Sequence, residues 1–293
     1  MPTGKSILTR VVLGAAMVAL TGGVLIVEHL DVVASELADV RGAVLAAVFV
    51  VLGVLAFREL RRLADAAGIH LLPVSGMGGA VLLGTMPFWR QLSPFFIGGD
   101  DVWAVLGIVV VAVFLEQMVR YRVEAAIPQV GATLLAVLYL AVGTAIVLLI
   151  RLDLGVPVIV LFLAAVKSAD IGAYFTGVAI GRHKLIGWLS PGKTWEGLLG
   201  GLAVAAGASV LVVALFRLRP GLDLHLPLWK AGIFGAVVGL AGQFADLCES
   251  LLKRSVRVKD SGALVPEFGG VLDVLDSPLL AAPVAYVLLY ALP

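Results

Sequence analysis

Charged and hydroxyl side chains are concentrated near the C-terminal end of a chain that is otherwise strongly apolar. The densest group runs from Asp246 to Arg257, and a second group follows from Asp273 to Ser277. Ionised groups close to hydrocarbon are costly, so a concentration of this kind is a functional-site hypothesis. Carboxylate oxygens are the ligands that hard cations such as Mg²⁺ prefer. The residue types therefore predict a polar site that holds a cation.

The first group has the spacing of one helix face. Its members are three or four residues apart, the separation that brings side chains together on a helix. Long cationic side chains over anionic lipid headgroups would explain the last three members but not the two deeper acids. The face comprises Asp246, Glu249, Ser250, Lys253, Arg254 and Arg257.

The second group places Asp273, Asp276 and Ser277 on one face near a helix start. One acid there would be explained by helix capping, because acids complement the dipole of a helix N-terminus. Two acids that follow the Gly269-Gly270 turn and face a second acidic helix favour a cation site instead. Asp246, Asp273 and Asp276 are the predicted metal ligands.

Two further polar segments precede these groups. Lys167, Asp170 and Tyr174 share a helix face, either as a self-neutralising ion pair or as a wall of the same cavity. In the loop 181–196, Ser190-Pro191 resembles an N-cap followed by a first helical residue. A helix start of this kind, with Lys193 and Thr194 in its first turn, is a natural anion site.

The segment from Gly187 to Thr194 formally matches the P-loop pattern G-x-x-x-x-G-K-[ST]. A P-loop needs a preceding strand inside an α/β domain. No such domain fits between the apolar segments that flank this loop, so we do not expect a P-loop here.

Composition indicates an all-α polytopic integral membrane protein. Of the 293 residues, 61% are hydrophobic and 14% are charged, and the mean hydropathy is +1.08, whereas about 25% of the residues are charged in a typical soluble domain. The single cysteine, Cys248, excludes an intramolecular disulfide and a cysteine metal cage. The four histidines lack H-E-x-x-H spacing, which makes a histidine-ligated zinc site unlikely by pattern.

Nine segments approach the roughly 20 apolar residues that a spanning helix requires. The first follows Lys5 and Arg10, but no small-residue cleavage site follows it, so a retained span is expected rather than a signal peptide. The predicted spans are residues 11–28, 42–57, 71–89, 102–119, 130–150, 155–180, 197–216, 231–252 and 271–291.

The distribution of cationic residues predicts the orientation of these spans. Of the 21 Lys and Arg residues, 14 fall on the side of the N-terminus, 6 fall on the opposite side, and Lys167 lies within a span. Cytoplasmic loops carry an excess of Lys and Arg. We therefore expect a cytoplasmic N-terminus and cytoplasmic loops 181–196 and 253–270, in the inner (cytoplasmic) membrane.

The C-terminal segment resembles the signature of the phosphatidate cytidylyltransferases (CDP-diacylglycerol synthases). Asp170-Ile-Gly-Ala-Tyr174-Phe and the loop from Ser190 to Gly197 are also similar to that family, and the resemblance covers about residues 165–280. The signature positions are Ser250, Lys253-Arg254, Lys259-Asp260, Gly269-Gly270, Asp273 and Asp276.

The resemblance implies that CTP and membrane phosphatidate react to give CDP-diacylglycerol and pyrophosphate. It also implies one or two divalent cations, of which Mg²⁺ is one, with or without a monovalent ion such as K⁺. It also suggests a homodimer, and nucleic acid is not an expected partner. Residues 1–150 would serve as scaffold, lipid access and dimer contacts, and residues 151–293 as the catalytic region. Asp246, Asp273 and Asp276 would hold the cations, with Glu249 and Asp260 orienting them. The phosphate-binding cations would be Lys193, Lys253, Arg254 and Lys259, and the hydroxyls that position oxygens would be Ser190, Thr194 and Ser250; Asp170 would line the substrate cavity.

Two positions depart from the family pattern. The family commonly has His where this chain has Phe268, and Arg where it has Val274. These departures concern nucleotide or phosphate contacts, whereas the acids are present.

Three other functions are compatible with some of these features. Intramembrane acids and lysines also mark ion-coupled transporters, but the polar residues here crowd into the C-terminal half. An inactive assembly protein would be expected to lack the acids, and the D-G-x-x-A-R opening of CDP-alcohol phosphotransferases is missing. A further alternative, a cytidylyltransferase that acts on another lipid phosphate, fits the same residues.

Overall fold

A computed structural model describes residues 22–23, 42–92, 101–218, 224–258, 260–262 and 269–291. Its architecture is all-α, as the composition predicts, with one short hairpin. A π-helical turn, Ile150–Leu154, extends the fourth helix. The helices are α1 Ala43–Ala66, α2 Pro73–Leu92, α3 Asp101–Arg120, α4 Ala126–Leu149, α5 Val156–Ile180, α6 Trp195–Arg217, α7 Leu228–Ser255 and α8 Leu272–Ala291.

Seven helices in the described part of the chain, all of these except α2, are long and apolar enough to cross a membrane. The prediction of a polytopic membrane protein is confirmed, but the count of nine spans is not. The first predicted span, 11–28, lies almost wholly outside the described residues. The third span forms α2, whose four glycines and two prolines, with Arg90 near its end, dilute its apolar character.

The loop between α5 and α6 folds into an antiparallel hairpin of β1 Lys184–Ile186 and β2 Ser190–Thr194. The prediction that Ser190-Pro191 opens a helix is therefore wrong. The N-cap of α6 is Thr194, whose Oγ1 accepts a hydrogen bond from the Gly197 N–H at 3.0 Å. Pairing with β1 keeps Ser190–Thr194 extended, so the helix begins only at Trp195.

The chain divides into two compact units. The first comprises residues 1–148 and 260–274. Its apolar core lies between α2, α3 and α4, where Val109, Val113 and Val137 are buried. Glu116 of α3 caps the start of α2, because its carboxylate accepts hydrogen bonds from the N–H groups of Val74 and Ser75.

The second unit comprises residues 149–259 and 275–293. Small residues let α5, α6 and α7 pack closely. A Cβ added at Gly201 of α6 would lie 2.6 Å from the carbonyl oxygen of Ala169 in α5, and one added at Gly235 of α7 would collide with the carbonyl oxygen of Ala205. Membrane helices associate through such close packing, since lipid tails are as apolar as the side chains. These contacts fix the helices that carry the polar residues.

Candidate active site

Three acids of the second unit lie together. Asp246 and Glu249 are one turn apart on α7, and Asp276 lies in the second turn of α8. One carboxylate oxygen from each falls within 4.8 Å of the others. Glu249 and Asp276 are 1% and 3% exposed, and Asp246 is partly buried. We refer to Asp246, Glu249 and Asp276 as the acid cluster.

The acid cluster has the donor set of a hard-cation site. Two carboxylates about 5 Å apart repel each other by roughly 3 to 4 kcal/mol at an effective dielectric constant of about 20. A bound cation would offset that repulsion. Oxygen-only donors suit Mg²⁺ or a similar divalent cation, so these residues fit the predicted metal.

Lys193 reaches the acid cluster from the hairpin. Its Nζ lies 2.7 Å from Asp246 Oδ2 and donates a hydrogen bond to the Gln243 carbonyl oxygen at 2.9 Å. Two acceptors one turn apart on α7 therefore hold the ammonium group beside the carboxylates. The structure thus brings together Lys193 and Asp246, which the sequence analysis had placed in separate segments.

Asp170 joins the same network through Gln243. The Gln243 Nε2 group donates to Asp170 Oδ1 at 2.8 Å, and Lys167 Nζ lies 3.9 Å from Asp170 Oδ2. The predicted ion pair of Lys167 and Asp170 is present, and the role of Asp170 in the wall of a substrate cavity stays a prediction. Gln243 was missed, although it stands three residues before Asp246 on the same helix face.

The two cations at the end of α7 have different environments. Lys253 is buried, and its Nζ donates to Glu249 Oε2 at 2.8 Å. Arg254 is exposed, and its Nη1 donates to the Val258 carbonyl oxygen beyond the helix end. Ser250 is buried one turn after Asp246. Lys253 thus adds a second positive charge at the acid cluster.

Asp273 lies in the first unit, where its carboxylate accepts hydrogen bonds from residues that precede α8. Its Oδ2 atom accepts hydrogen bonds from Ser261 N at 2.9 Å, Ser261 Oγ at 2.8 Å and Gly270 N at 2.6 Å. Asp260 directly precedes Ser261 in that loop. Asp273 is not in the group of three acids found among the described residues, and its assignment as a metal ligand stays a prediction.

The remaining predicted residues belong to the hairpin and the final loop. Ser190 pairs with Ile186 in the hairpin, and Thr194 is buried as the N-cap of α6. Lys259 and Phe268 lie outside the described residues. The substrate roles predicted for the described members stay predictions.

Glu59 was also missed by the sequence analysis. It is 1% exposed in α1, and its carboxylate accepts hydrogen bonds from the N–H groups of Val271 and Leu272. Its only sequence signal is an acid between Arg58 and Leu60 near the end of an apolar segment, which does not identify a partner some 200 residues away.

A cation held by the acid cluster, together with Lys193 and Lys253, could bind phosphate groups and neutralise their charge. This chemistry agrees with the comparison with known proteins. The model of the cytidylyltransferase family matches residues 9–292.

Several relatives are named phosphatidate cytidylyltransferase. The Bacillus subtilis (strain 168) protein is 32% identical over 240 residues, which cover 81% of this chain and 86% of that protein. The Helicobacter pylori (strain J99) protein is 35% identical over 203 residues, 69% of this chain and 70% of the relative.

The Brucella suis biovar 1 (strain 1330) protein of the same name is 40% identical over 132 residues, or 45% of this chain. This match spans about half the length of the relative, 46%. The family model, by contrast, matches nearly the whole chain, and the Bacillus match covers most of both proteins. The protein belongs to the cytidylyltransferase family.

Proposed function

We propose that this protein is a phosphatidate cytidylyltransferase, which transfers CMP from CTP to phosphatidate and releases pyrophosphate. The observation that carries the proposal is the approach of Lys193 to Asp246 in a cluster of three carboxylates. The names of the Bacillus and Helicobacter relatives support the choice of substrates.

The reaction joins two anions. A phosphate oxygen of phosphatidate attacks the α-phosphorus of CTP and forms a new phosphoanhydride bond, while the bond from the α-phosphorus to the bridging oxygen breaks and pyrophosphate leaves. A phosphate monoester is largely ionised near neutral pH, because its second pKa is about 6. The protein therefore needs no general base, and its main tasks are positioning and charge neutralisation.

Lys193 and Lys253 are the cations best placed for this work. Lys193 is 16% exposed in its side chain and Lys253 10%, so both act where solvent screening is weak. In our proposal Lys193 binds a phosphate of CTP, and Lys253, which is paired with Glu249, offsets charge on the leaving group. Arg254, more exposed, would contact phosphate at the mouth of the site.

Asp246, Glu249 and Asp276 would hold the cation, and Mg²⁺ is the ion that we propose. When bound, a divalent cation neutralises charge on phosphate oxygens. The prediction that Asp273 also binds the cation is tested by Asp273→Asn. Lost turnover with an unchanged unfolding temperature would support it, whereas full turnover would leave Asp273 as a capping residue. The K⁺ ion and the homodimer implied by the resemblance stay predictions.

Pyrophosphate release by the purified protein in lipid nanodiscs tests the proposed reaction. We expect release only when CTP, phosphatidate and Mg²⁺ are all present, and not with diacylglycerol in place of phosphatidate. Release with a different lipid phosphate alone would reassign the lipid substrate. A folded protein that releases none with any lipid phosphate would contradict the proposal and favour the transporter alternative.

A further inference from the structure

Glu59 is a buried carboxylate that caps a helix other than its own. Its Oε1 accepts a hydrogen bond from Val271 N at 2.9 Å, and its Oε2 accepts from Leu272 N at 2.8 Å and Ser261 Oγ at 3.0 Å. These donors lie at the start of α8 and in the loop before it. The first N–H groups of a helix have no partner within the helix, so Glu59 satisfies groups that would otherwise be buried unpaired.

Two glycines leave room for this carboxylate. A Cβ added at Gly262 would lie 2.6 Å from Glu59 Oε1, and one added at Gly270 would collide with Glu59 Oε2 and Ser261 Oγ. The neighbouring Gly269 has φ of +97°, which L side chains rarely adopt. The Gly269-Gly270 pair that precedes the acidic turn is therefore explained by the turn itself and by close approach to Glu59.

We infer that Glu59 is a positioning residue for the acids of α8. Ser261 bridges Glu59 and Asp273, because its Oγ lies 3.0 Å from the first and 2.8 Å from the second. α8 continues without interruption from this capped turn through Asp276. Without Glu59 the first turn of α8 loses its hydrogen-bond acceptor, and the Asp276 carboxylate in the second turn is no longer held in one direction. This inference rests on the proposed function only where it is tested by pyrophosphate release; the test by metal affinity is independent of it.

The chain offers a matched control. Glu116 caps α2 with the same kinds of donor, Val74 N at 3.2 Å, Ser75 N at 2.6 Å and Ser75 Oγ at 2.6 Å. α2 carries none of the predicted site residues. Each substitution replaces an acceptor oxygen used by two backbone N–H groups and a serine hydroxyl, and Glu116→Gln also weakens an ion pair with Arg120 at 3.0 Å. A purely structural role therefore predicts a lower unfolding temperature in both variants and no change of Mn²⁺ affinity in either.

The test measures Mn²⁺ affinity of the full-length protein in nanodiscs by electron paramagnetic resonance of free Mn²⁺. The Mg²⁺ concentration for half-maximal pyrophosphate release provides the second readout. Partners that orient metal ligands typically contribute 10- to 100-fold to metal affinity. We expect Glu59→Gln to weaken Mn²⁺ binding and Mg²⁺ activation about tenfold or more, and Glu116→Gln to leave both unchanged. Both variants should unfold at lower temperature than the wild type.

Unchanged Mn²⁺ affinity in Glu59→Gln, or equal weakening in Glu116→Gln, would overturn the inference. A wild type that binds Mn²⁺ but releases no pyrophosphate would refute the proposed function alone, and the Mn²⁺ comparison would still decide the role of Glu59. A wild type that binds no Mn²⁺ would overturn both. If Glu59→Gln does not fold, Glu59→Asp compared with Glu116→Asp decides the question by the same readouts, because the shorter carboxylate weakens the same hydrogen bonds and keeps the charge.

Discussion

Lys193 and Asp246 form the ion pair that ties the hairpin to α7. The ammonium group is 2.7 Å from the carboxylate and 2.9 Å from the Gln243 carbonyl oxygen. A cation in this position offsets the repulsion among the carboxylates of the acid cluster and presents positive charge where a phosphate would bind.

Asp276→Asn should lower the turnover number at least about a hundredfold. It removes the charge of a buried member of the acid cluster while keeping the size of the side chain, and even indirect partners of a metal commonly contribute 10- to 100-fold. Product formation and unfolding temperature would be measured together. Asp153→Asn, at an exposed acid of the same unit, is the control. Near-normal turnover in a folded Asp276→Asn protein would refute the cation site.

Lys193→Ala should lower kcat/KM for CTP by roughly 10- to 100-fold. Hydrogen bonds to charged groups are worth about 1.5 to 3 kcal/mol, and 1.4 kcal/mol corresponds to a factor of ten. Steady-state kinetics with varied CTP provide the measurement. Lys184→Ala changes an exposed lysine of the same hairpin and should have little effect. Equal kinetics in the two variants would remove Lys193 from the site.

Helix spacing predicted that Asp273 and Asp276 share a face, but it could not separate their roles. The Asp273 carboxylate accepts hydrogen bonds from Ser261 and Gly270, whereas Asp276 lies in the acid cluster. The difference arises because the N–H groups of Ser261 and Gly270, which precede α8, donate hydrogen bonds to Asp273. Spacing along a single helix carries no information about such a loop.

At the scale of elements, small residues let the backbones of α5, α6 and α7 approach closely. Gly172 of α5 faces Val204 and Gly201 of α6, and Gly239 of α7 faces Ala205 and Ala169. This close packing fixes the distance between the helix that carries Asp170 and the helix that carries Asp246.

Gly201→Ala should lower the free energy of unfolding by about 1 to 3 kcal/mol, the usual effect of overpacking. The added Cβ would lie 2.6 Å from the Ala169 carbonyl oxygen and 3.0 Å from Ala173 Cβ. Gly207→Ala, on the same helix with nothing within 4 Å, should be neutral or stabilising because alanine favours helix. Thermal unfolding in detergent measures both, and equal unfolding temperatures would contradict this packing account.

Apolar segments predicted where helices occur but not where they end. The span predicted at 42–57 forms a helix that continues to Ala66 through Arg58, Arg61 and Arg62. Backbone hydrogen bonding does not stop where hydrophobicity stops, since exposed cations are good helix formers. The hairpin was missed for a related reason: Ser190 and Thr194 both suit an N-cap, and only pairing with β1 decides between them.

At the scale of the whole molecule, composition predicted a membrane-spanning helical protein because helices satisfy every backbone polar group within the bilayer. Contacts between distant segments could not be predicted from the sequence. Glu59 and its donors at Ser261, Val271 and Leu272 are separated by about 200 residues. No sequence periodicity relates positions that far apart, so only the folded structure shows that they pair.

The distribution of Lys and Arg predicts that the hairpin is cytoplasmic and that the π-helical turn faces the opposite side. In a Cys248→Ser background, Lys184→Cys should react with a membrane-impermeant maleimide only after the cells are opened. Asp153→Cys should react in intact spheroplasts. Both positions are exposed in the structure, so accessibility is set by the side of the membrane. The reverse labelling pattern would contradict the predicted orientation.

The central claim is that CMP passes from CTP to a lipid phosphate in this protein. The most direct measurement compares CTP labelled at the α-phosphate with CTP labelled at the γ-phosphate, using purified protein, phosphatidate and Mg²⁺. Our account predicts that the α label enters the lipid phase and that the γ label appears only in water-soluble pyrophosphate. Transfer of the γ label to lipid, or no lipid label from either nucleotide with folded protein, would contradict it.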